Sequence, residues 1–185
     1  TMVEKYSIDD SDDLLHTIGS SYIQAGNFKN AIKFLEKAYT ANPKNDSVIY
    51  DLAFSYDKAG NDAQSILFYN KYLDLDPYSE SAWYNLGIIY TRLEDYDKAI
   101  ESYDFALALN DKYTSALFNK ANALSAAERY EEALACYLEC LKIDKDSTDI
   151  QLYIAECYLQ LEDFKNALEH YKTSIQLNAK NADAW

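Results

Sequence analysis

A unit of 34 residues recurs along this chain without an insertion, and that period limits the fold more than any other property of the sequence. Leu86-Gly87 falls on Leu52-Ala53 and Ile18-Gly19 behind it, and on Lys120-Ala121 and Ile154-Ala155 ahead. Five copies tile the chain as 12–45, 46–79, 80–113, 114–147 and 148–181. No unit of this length encloses a core alone, so each is expected to stack on its neighbours in one array.

The pattern inside the unit is that of two short helices. In the third copy Trp83, Leu86, Gly87 and Tyr90 have the i, i+3, i+4, i+7 spacing of one helix face, and Ala99, Tyr103 and Ala106 repeat it in a second segment. Between the segments stand Gly26-Asn27 and Gly60-Asn61 in the first two copies, suited to a tight turn, and Glu94-Asp95 in the third. Pro43 and Pro77 follow the second segment, where a helix cannot continue. Residues 1–11 read as an acidic lead-in or the remnant of a preceding repeat, and 182–185 match the opening Ser81-Ala82-Trp83 of a further one. An array end of that kind exposes apolar surface and invites self-association, with Trp185 as the adhesive.

Three positions break the core columns. Tyr72 stands where other copies have Ala38, Ala106, Cys140 and Ser174, which predicts overpacking of about 1–3 kcal/mol. Lys120 takes the place of Leu86 and is expected to lay its stem along the apolar seam with its ammonium toward water. Gln151 takes the place of Trp83 and softens one core position. Eight tyrosines, at 22, 56, 90 and 158 and at 69, 103, 137 and 171, fill two core columns and read as scaffold.

Charge and composition exclude several functions. The formal net charge is −14 and no repeat after the first is net positive, so a nucleic-acid surface is excluded. No stretch is long and apolar enough to enter a membrane, and the opening residues lack the layout of a signal peptide. The three cysteines, Cys136, Cys140 and Cys157, read as reduced structural thiols in a cytoplasm, short of the four ligands of a closed zinc site. His16 and His170 have no nucleophile or acid at a recognisable spacing, and the repeat accounts for all four glycines. The expectation is a non-catalytic chain with no cofactor and no metal.

The run Glu80 to Tyr113 resembles the tetratricopeptide repeat family, whose signature is a large apolar residue, leucine-glycine, tyrosine, then alanine, aromatic, alanine and often proline. Only the proline is missing, replaced by Asp111. The resemblance implies an all-α, right-handed superhelix of stacked antiparallel hairpins, serving as a protein-interaction scaffold. It also implies that the first helices line a concave groove for an extended peptide or partner helix.

Carried over place by place, the groove positions hold Tyr50, Tyr84, Phe118 and Leu152 at the fifth place, Asn85, Asn119 and Tyr153 at the sixth, and Phe54, Ile88, Asn122 and Glu156 at the ninth. Tyr50, Tyr84 and Phe118 are the expected apolar anchors. Asn85 and Asn119 are similar to the asparagine ladder by which some members hold a peptide backbone, since a carboxamide donates and accepts at once. Members that clamp a terminal carboxylate use lysine and arginine at set places, and here those places hold none. Asp51, Asp57, Asp149 and Glu156 outweigh Lys58 and Arg92, which predicts a ligand with apolar anchors and some basic character. Two alternatives are assembly through the array ends and service as the recognition arm of a larger enzyme.

Overall fold

The computed structural model describes residues 12–183, with side chains through 179, and every regular element among them is an α-helix. In order these are α1 (Asp12–Gln24), α2 (Phe28–Ala41), α3 (Asp46–Lys58), α4 (Asp62–Leu75), α5 (Glu80–Arg92), α6 (Tyr96–Leu109), α7 (Thr114–Ala126), α8 (Tyr130–Ile143), α9 (Thr148–Gln160) and α10 (Phe164–Asp183). Each repeat is one antiparallel hairpin, as the period predicts. The chain forms two compact units, divided after Ala82.

In the first unit α1 packs on α2, α2 on α3 and α3 on α4. Ala31, Leu35, Ala38, Leu52, Ala53 and Tyr69 are fully buried there. Lys71 lies 4.9 Å from the ring centres of both Tyr39 and Phe68 and donates to the Tyr39 hydroxyl at 3.0 Å. A cation held between two rings offsets its own desolvation.

In the second unit α6 packs on α7, and each helix from α7 to α10 packs on the next. Tyr103, Tyr137, Leu124, Ile154, Cys140 and Cys157 make its core. At Gly87 an added Cβ would stand 2.4 Å from the Tyr103 ring, so the missing side chain lets α5 lie against α6. Burial pushes the Cys140 and Cys157 thiols up to about 11, which keeps them protonated and inert.

The turn inside each hairpin is left-handed in every copy. Gly26 and Gly60 take φ of 70° and 76°, and Glu94, Glu128 and Glu162 take 59°. After the turn Asn27, Asn61, Asp95 and Asp163 cap the second helix by accepting a backbone N–H. The fourth copy has Arg129 there, which makes no cap and pairs with Glu132 at 2.7 Å.

The three column-breaking residues resolve in different ways. Tyr72 does not enter the slot that Ala38, Ala106 and Cys140 fill with no exposure; it is half-buried, its ring centre 5.1 Å from Tyr50. The expected overpacking is thus relieved by turning the ring out of the core. Lys120 is half-buried, and its ammonium meets the Asp104 carboxylate instead of open water. Gln151 is 7% exposed and its side-chain oxygen lies 2.7 Å from His170 Nδ1, while that imidazole stacks on Tyr158. Burial holds the His170 pKa below the ordinary imidazole value.

Helix α10 runs to Asp183, past Leu177, where the pattern would close a second helix. Ala179 occupies the place of Pro43 and Pro77, so the residue that stops the helix is replaced by the best helix former. The stretch expected to open a sixth repeat therefore begins inside a helix. Trp185 and the lead-in 1–11 lie outside the described residues.

Candidate functional site

The first helices place the expected groove residues on two faces of different character, one in each unit. In the first unit α1 and α3 are tied by a single carboxylate oxygen. Asp51 Oδ2 accepts from Ser20 Oγ at 2.8 Å and lies 2.8 Å from His16 Nε2. Tyr50 presents its ring edgewise to Tyr69 at 5.7 Å and to Tyr72. Beside it opens a cleft of about 340 Å³ lined by Asp46, Tyr50, Asp51, Tyr72 and Ser79 among others. Phe54 stands edge-on to Phe28, with the Lys58 ammonium 5.2 Å from its ring centre.

The acidic character expected of this face is largely consumed internally. Asp51 is held by His16 and Ser20, and Asp57 is 8% exposed with Lys58 Nζ 2.8 Å from its carboxylate. Asp149 and Glu156, both exposed on α9, keep that character in the second unit.

In the second unit the predicted residues interlock. Tyr84 on α5 lies 4.7 Å from the Tyr113 ring, and its hydroxyl accepts from Asn119 Nδ2 on α7 at 3.1 Å. Phe118 meets Tyr137 at 6.0 Å and Tyr153 on α9 at 5.7 Å, both edgewise. Tyr153 in turn stacks on Tyr137 at 5.4 Å, with the rings 11° from parallel. The Tyr137 hydroxyl donates to Asn122 Oδ1 at 2.6 Å. Asn85 and Ile88 are half-buried on α5, whereas Leu152 and Glu156 are exposed on α9. One face thus links α5 to α7 by the Tyr84–Asn119 hydrogen bond and α7 to α9 by the Phe118–Tyr153 ring contact, with Asn122 beside them.

Those hydrogen bonds fix what each carboxamide has left to offer. Asn119 donates to Tyr84, and among the described residues its oxygen meets no donor. Asn122 accepts from Tyr137, and its NH2 likewise meets no acceptor there. The two lie one helical turn apart on α7, one presenting an acceptor and the other a donor, which is the complement of a peptide backbone.

Two aromatic residues of these faces were missed by column reasoning. Tyr72 was assigned to the core. Tyr113 occupies the place where Asn45, Ser79 and Ser147 cap the next helix, and α7 has no side-chain cap at all. The signal was present in the sequence: a large ring in a column of capping residues forgoes a cap worth about 1 kcal/mol.

Other cavities do not compete chemically. A cleft of about 660 Å³ runs along α8, lined by Ala135, Leu138, Glu139, Leu141, Lys142 and Lys145, but it holds no ring and no carboxamide. Among the described residues no three metal-binding side chains come together, and no helix is long and apolar enough to cross a membrane.

Known proteins agree with this architecture. Three family profiles, each described as tetratricopeptide repeat, match residues 22–87, 78–146 and 118–182. A crystal structure of MamA protein superposes with a TM-score of 0.87 at 23% identity, over 93% of this chain and 94% of that one. MamA 41-end from Desulfovibrio magneticus RS-1 gives 0.84 at 17% identity, over 93% and 97%. At these identities the likeness is one of fold. No curated protein matches the sequence. The profiles together run from residue 22 to 182, and the chain belongs to the tetratricopeptide repeat family.

Proposed function

We propose that this chain is a protein-interaction scaffold that holds an extended peptide across α5, α7 and α9. The observation that carries this reading is the face on which Tyr84 is bonded to Asn119 and Phe118 lies against Tyr153, with Asn122 one helical turn beyond Asn119. Rings already in mutual contact lose little freedom on binding, so apolar ligand side chains gain contact area at small entropic cost. The Asn119 oxygen accepts a ligand N–H and the Asn122 amide donates to a ligand carbonyl. The grip is therefore on the main chain, and both partners sit on one helix, unlike the Asn85–Asn119 ladder of the sequence reading. Tyr113 extends the apolar platform beside Tyr84. A basic ligand residue meets Glu156 at the α9 side, and the Tyr50 and Phe54 face of the first unit is a separate contact area.

A displayed library of unstructured peptides tests this directly. The parent should enrich sequences with apolar or aromatic anchors, and the variant Tyr84→Ala, Asn119→Ala, Asn122→Ala, Tyr153→Ala should lose the enrichment by tenfold or more while staying equally helical. Equal enrichment by both proteins would place binding elsewhere.

A further inference from the structure

The second copy departs from the others at places that converge in space. Tyr72 stands where Ala38, Ala106, Cys140 and Ser174 do, and Asp51 stands where Thr17, Asn85, Asn119 and Tyr153 do. Of the five copies, only this one has rings at both the Tyr50 and Tyr72 places and carboxylates at both the Asp46 and Asp51 places. All four residues line the cleft of about 340 Å³, and the rest of its lining is hydroxyl, from Ser47, Ser79 and Ser81. The whole lining belongs to the first unit. The ring that is too large for the core thus becomes a wall of this cleft.

The walls are two rings and the counter-charges are in place. Tyr50 and Tyr72 meet with ring centres 5.1 Å apart and planes at 67°, a corner in which neither ring stacks on the other. The Tyr72 hydroxyl donates to Asp76 Oδ2 at 3.3 Å, which fixes that ring. Burial first, with the Asp76 and Asp46 charges adding to it, raises the Tyr72 pKa above the ordinary phenol value, so the wall stays neutral in a negative field. His16 and Ser20 both use Asp51 Oδ2, which leaves Oδ1, and Ser47 uses Asp46 Oδ1, which leaves Oδ2. Among the described residues no lysine or arginine pairs with Asp46, Asp51 or Asp76. Lys58 pairs with Asp57 and Lys71 lies between Tyr39 and Phe68, so both are engaged elsewhere.

We propose that this cleft takes the guanidinium of an arginine side chain on a partner protein. Aromatic rings attract a cation and the carboxylates neutralise it, whereas an apolar or anionic group would leave Asp46 and Asp51 facing it unpaired. A guanidinium has five N–H donors in one plane, which match two carboxylates and the serine hydroxyls better than the three donors of an ammonium do. Its plane also lies flat on a ring, which an ammonium cannot do. The volume is at the low end of the about 300–1,000 Å³ of ligand pockets, which suits one side chain. This site is separate from the face of α5, α7 and α9 and does not rest on peptide binding there.

Titration with the blocked peptide acetyl-Gly-Arg-Gly-amide, followed by NMR, tests this. The Tyr50 and Tyr72 ring resonances should shift saturably and show cross-relaxation with the arginine side-chain protons. The citrulline peptide, of the same shape without the charge, should bind about tenfold more weakly or not at all. The lysine peptide should bind about threefold more weakly or worse. Tyr72→Ala installs the residue that Ala38 and Ala106 supply in other copies, so the fold already accommodates it, and it should abolish the shifts at Tyr50. Asp46→Thr installs the residue that Thr114 and Thr148 supply and should weaken binding by about threefold or more, while Tyr72→Phe, which keeps the ring, should retain it. Citrulline binding as tightly as arginine, or Tyr72→Ala binding as the parent does, overturns the proposal. Equal binding of the lysine peptide overturns the choice of a guanidinium. Free arginine brings its own carboxylate to an acidic cleft and should bind no more tightly than the peptide; tighter binding would assign the cleft to the free amino acid and overturn the protein partner.

Discussion

The two units solve the same repeat with different residues. In the first, the left-handed turns fall on Gly26 and Gly60, prolines close the second helices, and the face of α1 and α3 is a polar knot around Asp51. In the second, the same turns fall on Glu94, Glu128 and Glu162, no proline follows, and the face of α5, α7 and α9 is aromatic with carboxamides. The backbone tolerates either set because core columns carry the fold. The exposed face is then free to differ, and in the second unit rings stand beside two carboxamides.

Core truncations break this comparison most forcefully. Leu52→Ala in the first unit and Leu124→Ala in the second, both essentially without exposure, should each cost about 2–5 kcal/mol. Hydrogen exchange should show protection lost first in the unit that carries the lesion. Equal loss throughout would show that the two units open as one.

The turns come next and should move in opposite directions. Gly60→Ala forces a side chain into φ of 76° and should destabilise by about 1–2 kcal/mol. Glu94→Gly relieves the same strain at 59° and should stabilise by up to about 1 kcal/mol in chemical denaturation. A loss of stability in both would mean that Glu94 earns its place by a contact.

Tyr113→Ser sharpens the distinction between scaffold and site. It restores the missing cap of α7, a gain of about 0.5–1 kcal/mol, and removes the ring beside Tyr84. Stability should hold or rise while peptide affinity falls, a separation that a purely structural tyrosine would not show. Calorimetry of unfolding and binding titration together decide it.

The smallest expected effect is a pH dependence confined to the second unit. Burial lowers the His170 pKa below the ordinary imidazole value of 6.5, so the unfolded chain binds the proton first as pH falls. Its contribution is complete above pH 6.5 and is lost on acidification toward the folded pKa. The His170 ring resonances should titrate with a midpoint below 6.5, and His170→Gln should lose less stability between neutral and mildly acidic pH than the parent. A midpoint at or above that value would mean that Gln151 and Tyr158 favour the charged ring.

Much of the candidate site was readable from the repeat. Tyr84, Phe118, Asn119, Asn122 and Tyr153 stand at places outside the fully buried columns, half-buried with the three rings packed on the edge of the core, and a gapless period sets those places without ambiguity. Their partners were not readable. Asn119 looked like a rung of a ladder with Asn85, yet its amide is engaged by Tyr84, 35 residues earlier. Asp51 and Asp57 looked like ligand-seeking charges, and packing supplied each with a partner inside the unit. Tyr72 was misread and Tyr113 was given no role, because a column assigns a residue the role of its neighbours in the column, while a ring too large for that role is displaced onto the face.

The hairpins, their number and the buried columns were determined by the sequence by itself, because helical periodicity and turn residues are properties of neighbours along the chain. Which side chains meet across the site was decided only in the tertiary structure. Tyr84 reaches Asn119, and Phe118 reaches Tyr153, through the spacing and crossing of separate helices. That spacing is set by the volumes packed between them, such as the bare Gly87 against Tyr103, and no local pattern encodes it.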